Sequence, residues 1–152
     1  GKIVIQPIYE SAEMFSEGYS AVQLGDRWGL IDGTGKRILE PKFDCLGSVH
    51  NGLACYRVNH KYGFVDITEQ EKIKPQYDWV DEFSEGLCVV RNDNGKPGSG
   101  NNGYIDTTGK LIIGFKFEYA GKFQNGKAEV QLEKDFVTID KTGNIIADPE
   151  TN

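Results

Sequence analysis

The segment Tyr19-Ser20-Ala21-Val22-Gln23-Leu24 alternates, and a period of two with a constant inward side predicts a strand. The alternation recurs along the chain. Ser20, Ala54, Cys88 and Ala128 form a small column, and Val22, Tyr56, Val90 and Val130 form a larger one two places on. The positions flanking them, Tyr19, Leu53, Leu87 and Lys127, then Gln23, Arg57, Arg91 and Gln131, are assigned to the outward side. A short turn leads into a second strand, Arg27-Trp28-Gly29-Leu30-Ile31. Asp32-Gly33-Thr34-Gly35 then precedes a third, Lys36-Arg37-Ile38-Leu39. Asp106-Thr107-Thr108-Gly109 and Asp140-Lys141-Thr142-Gly143 repeat that turn: aspartate accepts from backbone donors two residues on, and glycine supplies positive φ. Asp66-Ile67-Thr68-Glu69 lacks the glycine and predicts a distorted turn. Between Pro41 and Gly52 the alternation weakens, which predicts a helical turn or an irregular corner.

These elements are phased by a repeat. Pro7, Pro41 and Pro75 are 34 apart, Phe115 and Pro149 continue the column, and Tyr9, Phe43, Tyr77 and Phe117 follow two places later. Gly18, Gly52, Gly86 and Gly126 form a glycine column, preceded three positions earlier by Phe15, Val49, Phe83 and Phe123. An aromatic-Gly pair follows at Trp28-Gly29 and Tyr62-Gly63, weakening to Asn102-Gly103 and Phe136-Val137. The third unit is six residues longer. Its insertion lies within Asn92 to Asn102, whose Asn, Gly and Ser content predicts a mobile, dispensable loop beside any functional face. The units are 1–34, 35–68, 69–108 and 109–142, with a partial 143–152, all within one domain, 1–152. A residue that every unit repeats serves what every unit needs, which is folding; Trp28, Gly29, Tyr62, Gly63, Gly103 and the glycine column are accordingly structural, with Trp28 in the core.

The expected fold is all-β: a tandem array of antiparallel hairpins, about three strands per unit, stacked as an open superhelix over a core shared by Val22, Tyr56, Val90 and Val130. A closed, propeller-like arrangement is the alternative. Lys2 to Gln6 has no preceding partner strand and predicts an exposed edge or a pairing with neighbouring structure. Gly-Lys-Ile-Val-Ile-x-Pro-x-Tyr, Phe-Ser-Glu-Gly, Arg-Trp-Gly-Leu-Ile-Asp and Gly-Thr-Gly-Lys, recurring in order and in phase, resemble the WG-repeat (KWG-repeat) family over essentially all of 1–152. That resemblance implies an all-β repeat, found mostly in bacterial proteins, that serves interaction rather than catalysis.

Composition narrows the functions. Net charge is −6, from 17 Lys+Arg and 23 Asp+Glu, whereas nucleic-acid binders carry a basic stripe that releases counterions from phosphates. No apolar run approaches the length of a membrane-spanning helix. Cys45, Cys55 and Cys88 are an odd number without C-x-x-C spacing, so no zinc site or complete disulfide framework is encoded. A free thiol slightly favours a cytoplasmic location, although residue 1 is Gly and a leader could have been removed.

The expected catalytic, metal and cofactor sites are none. His50 and His60 have no G-x-S-x-G or comparable nucleophile to serve. The acidic column Glu10, Asp44, Asp78 and Glu118 is read as capping corners or pairing with a basic residue such as Lys36 or Lys110, rather than as a cation ladder. Columns that vary inside the constant frame are the candidate contact surface. They supply Trp79, Tyr119, Tyr19, Arg57 and Arg91 as binding residues. The expected partner is a protein or another domain of the parent chain. The alternative is a glycan stacked on Trp79, Tyr119 and Tyr19.

Overall fold

The structure, a computed structural model, describes residues 8–93 and 101–146. The insertion residues 94–100, the segment Lys2 to Gln6 that was expected to form an edge, and most of the partial fifth unit lie outside them. All described strands fall into four four-stranded antiparallel sheets in sequential order, and no sheet closes on itself. Sheet 1 holds β1 (Ser11–Ala12), β2 (Tyr19–Leu24), β3 (Arg27–Asp32) and β4 (Arg37–Phe43). Sheet 2 holds β5 (Leu46–His50), β6 (Leu53–Val58), β7 (Lys61–Asp66) and β8 (Glu71–Tyr77). Sheet 3 holds β9 (Trp79–Val80), β10 (Leu87–Arg91), β11 (Asn102–Asp106) and β12 (Leu111–Phe117). Sheet 4 holds β13 (Tyr119–Ala120), β14 (Lys127–Leu132), β15 (Asp135–Asp140) and β16 (Ile145–Ile146). The chain divides into two compact units, 1–76 and 77–152, so sheets 1 and 2 fall essentially in the first and sheets 3 and 4 in the second.

Each sheet thus has one strand more than the three expected, and Leu46–His50 is a strand rather than a helical turn or corner. These first strands are too short or irregular for alternation to reveal; β5, for example, pairs Leu46 with Tyr56 and Val49 with Ala54 across a bulge. The acidic column opens them through its backbone: the amides of Glu10, Asp78 and Glu118 donate to the carbonyls of Gln23, Arg91 and Gln131. Its side chains do not reach Lys36 or Lys110 where partners are seen. Asp44 pairs with Arg27, and Asp78 accepts from the Asp93 amide at 2.8 Å.

The signature glycine has a steric cause. Trp28 pairs with Phe43 and Leu30 with Leu39, so two steps along β3 face four along β4, and Glu40-Pro41-Lys42 bulges over the residue between. A Cβ on Gly29 would lie 2.6 Å from the Leu39 carbonyl oxygen and 2.9 Å from the Pro41 nitrogen, both backbone. Proline suits the same bulge, because its missing N–H is not needed by the ladder. β11 and β12 repeat the bulge over Gly103.

Within each compact unit the two sheets stack front to back. In the first unit Ala21, Leu30 and Leu39 of sheet 1 pack with Leu46, Val49, Ala54, Tyr56 and Val65 of sheet 2. In the second, Leu87, Val89, Tyr104, Ile113 and Phe117 of sheet 3 pack with Ala120, Phe123, Ala128, Val130 and Ile139 of sheet 4. Equivalent residues therefore do not share one core, as the column of Val22, Tyr56, Val90 and Val130 suggested. One sheet's forward face meets the other face of its successor, a heterologous contact. The central strands bury residues on both faces: Ser20, Ala21 and Val22 in succession, and Leu87 through Val90. Leu53 and Leu87, assigned outward, are buried. Trp28, assigned to the core, is half-buried at its margin. Trp28→Ala should therefore cost only about 2 kcal/mol in urea unfolding, near the transfer value of one side chain, rather than the ~3–5 kcal/mol of a core aromatic.

Candidate functional site

Four identical turns frame every sheet. The Oδ1 of Asp32, Asp66, Asp106 and Asp140 accepts from the amide and hydroxyl of the threonine two residues on, and from the amide four residues on, at 2.6–3.1 Å. The turn at Asp66 is not distorted. Glu69 takes the left-handed conformation (φ 67°) that Gly35, Gly109 and Gly143 take elsewhere, and the threonine column Thr34, Thr68, Thr108 and Thr142 keeps the bonds intact. That column was legible in the sequence as Asp-x-Thr.

These bonds hold the aspartates below their ordinary values. At Asp140 the Thr142 hydroxyl is the main cause. At Asp66 burial pushes upward, but Thr68, Gln70 and Lys72 outweigh it. A depressed folded-state pKa means that protons favour the unfolded chain. Stability is full above the unfolded carboxylate value of about 4 and is lost as pH falls through it toward the folded values. Thermal midpoints recorded from pH 7 to 2 should fall steeply below about pH 4. Asp66→Asn, which keeps an acceptor oxygen, should flatten that limb.

A second polar device joins sheets within each unit. Ser16-Glu17-Gly18 and Ser84-Glu85-Gly86 form two-residue turns in which both Glu and Gly have positive φ, a conformation that asparagine or glycine ordinarily supplies. Glutamate is there because it reaches forward. Glu17 accepts from the Asn51 and Gly52 amides at 2.7 and 2.8 Å, and Glu85 from the Asn125 and Gly126 amides at 2.6 and 3.0 Å. Ser16 and Ser84 donate to the carbonyls of Val49 and Phe123. Lys141 pairs with Glu85 at 3.1 Å and, with the Gly126 amide, holds its carboxyl below the usual range. The signal in the sequence lies in the residue before the glycine column, which alternates Glu, Asn, Glu, Asn. Glu85→Ala should lower the urea midpoint, whereas Glu85→Asp, too short to span both amides, should restore little of it.

The five candidate binding residues are distributed unevenly. Trp79 on β9 and Arg91 on β10 are cross-strand partners and both exposed, with Arg91 3.3 Å from Asp93. Tyr119 holds the position of Trp79 in sheet 4 and is 48% exposed. Its cross-strand partner Gln131 also pairs with Phe136, so all three share one face. The Tyr119 and Phe136 rings lie 6.0 Å apart, and Phe136 is 57% exposed. Phe136 had been read only as a weakened repeat aromatic; period two through Gln131 would have found it. Tyr19 and Arg57 lie in the first unit and are half-buried, Tyr19 against the core and Arg57 over the Tyr62 ring at 5.8 Å.

An open groove of about 470 Å³ lies beside Tyr119, lined by Lys122, Gln124, Lys127, Glu129 and Thr138 among others. A smaller hollow of about 190 Å³ is bounded by Asp44, Arg57, Asn59 and His60; Asn59 and His60 are the left-handed tip of the β6–β7 hairpin. His50 lies on β5. Among the described residues no three His, Cys, Asp or Glu side chains gather as a metal site would need, and no helix is long and apolar enough to cross a membrane.

Sequential four-stranded meanders, repeated Asx turns and a glycine beneath the bulges at Gly29 and Gly103 define an all-β tandem-repeat module. The family model of the WG containing repeat matches residues 1–28, 28–62, 62–96 and 103–134, and the chain belongs to that family. The unmatched stretch 97–102 is six residues, the length of the insertion. No curated protein matches the chain.

Proposed function

We propose that this module is a non-catalytic binding domain whose partner is a protein or another part of its parent polypeptide. The observation that carries the reading is the exposed set of Trp79 and Arg91 on sheet 3 and Tyr119 and Phe136 on sheet 4, while the recurring polar groups are spent on turns and sheet-to-sheet bonds. Trp, Tyr and Arg are the residues in which interface energy concentrates. The acidic chain, at net charge −6, argues against nucleic acid as that partner. Trp79→Ala and Tyr119→Ala, each at an exposed site, should leave the fold intact by circular dichroism and weaken capture of a specific protein by about tenfold or more. Capture unchanged by both substitutions would refute the reading.

A glycan is the second reading, favoured by the Tyr119–Phe136 pair beside a groove of ammonium, carboxylate, amide and hydroxyl groups. Aromatic faces stack on sugar rings, and such polar groups bond hydroxyls in both directions. Glycan-array binding abolished by Phe136→Ala and retained by Trp79→Ala would favour this reading over the first.

A further inference from the structure

The forward face of each sheet, the one that sheets 1 and 3 turn toward their successors, has three central columns. The first reads Tyr19, Leu53, Leu87 and Lys127. The second reads Ala21, Cys55, Val89 and Glu129, and the third Leu30, Phe64, Tyr104 and Thr138. In sheets 1 to 3 these positions are apolar or aromatic, and Ala21, Leu30, Leu53, Phe64, Leu87, Val89 and Tyr104 are all buried. In sheet 4 all three turn polar together. Register confirms that they share a face: Lys127 and Glu129 alternate along β14, and Glu129 pairs with Thr138 on β15. Glu129 and Lys127 are exposed. The Ser-Glu pair that staples sheet 1 to 2 and sheet 3 to 4 is absent from the fourth repeat, which has Gln124-Asn125, as it is from the second, which has His50-Asn51, so the three polar columns are what set sheet 4 apart.

We propose that the forward face of sheet 4 is a stop face, built to refuse a further stacked sheet and so to end the array. The physical reason lies in what such a sheet presents. Against Val89 and Tyr104 of sheet 3 it brings Ala128, Val130 and Ile139. A carboxylate and an ammonium facing that surface would lose water and gain no partner from it, and an unpaired buried charge is among the costliest arrangements a fold can adopt. Terminal repeats of one-dimensional arrays need a polar outer face for the same reason. The open groove beside Tyr119 is the space this refusal leaves to solvent or to a ligand that is not a repeat.

The repeat phase supplies the test. Glu118 and Asn152 are 34 residues apart, so a copy of residues 119–152 appended after Asn152 continues the register and carries a back face that already fits sheet 3. The copy is attached to the natural chain and to a chain given the forward face of sheet 3: Gln124→Ser, Asn125→Glu, Lys127→Leu, Glu129→Val and Thr138→Tyr in the original repeat only. On the natural chain the copy should be cleaved rapidly by limited proteolysis and leave the urea m-value unchanged. On the altered chain it should be cleaved about tenfold more slowly and raise the m-value, since m follows the surface buried on folding. A copy that docks equally on the natural face overturns the proposal, and so does one that docks on neither. Should the five-residue variant not fold, Glu129→Val alone with the same appended copy decides in the same way, by protection gained or absent.

Discussion

Replacing Tyr104 with alanine should be among the most damaging single substitutions in residues 77–152, costing about 4 kcal/mol, in the range for a buried aromatic truncated to alanine. The ring is inaccessible to solvent. It packs edge-on against Phe117 and Phe123, with centroids 6.1 and 5.0 Å away, and so joins sheet 3 to sheet 4. Its hydroxyl donates to the Gly121 carbonyl at 2.7 Å, and burial raises its pKa. Tyr104→Phe keeps the ring and removes only that bond, so it should cost about 1–2 kcal/mol, the value of a lost hydrogen bond plus a carbonyl left unpaired. Urea unfolding of the two variants separates packing from hydrogen bonding; equal losses would mean that the ring contacts contribute little.

Gly63→Ala should cost about 3 kcal/mol or more, the upper end of what overpacking produces. An added Cβ would stand 2.3 Å from the Ile73 carbonyl oxygen and 2.7 Å from the Pro75 nitrogen. Neither is a side chain that can swing away, so β7 and β8 must separate and their ladder must break. Gly33→Ala is the control: nothing lies within 4 Å of its added Cβ, and its effect should stay within about 0.5 kcal/mol, as for an ordinary surface change. A similar loss at both positions in thermal or urea unfolding would mean that the bulge is not what demands the signature glycine.

Signals carried by neighbouring residues were legible before the structure. Alternation marked β2 and its equivalents, and Asp followed by Gly marked the turns. The 34-residue phase set aside the glycines and the aromatic-Gly pair as structural. The candidate surface was legible only in part. Trp79 and Tyr119 are exposed, Trp79 and Arg91 are paired, and Phe136 went unread because its column had been assigned to the frame. Leu53 and Leu87 were misassigned because alternation assumes one buried face, and these strands bury consecutive residues, hence both faces.

The sequence by itself determined the repeat, the turns and the all-β class, because each depends on backbone preferences and side-chain bonds within a few residues. Tertiary structure alone decided which face of one sheet meets which face of the next. It also decided why glutamate stands in a left-handed turn at Glu17 and Glu85, and why glycine must follow Trp28 and Tyr62. Those answers lie in contacts made across about ten to forty residues, such as Glu17 with Gly52 or Gly63 with Pro75. A linear pattern records that such a residue is repeated, and only the packed sheets show the atom it has to reach or avoid.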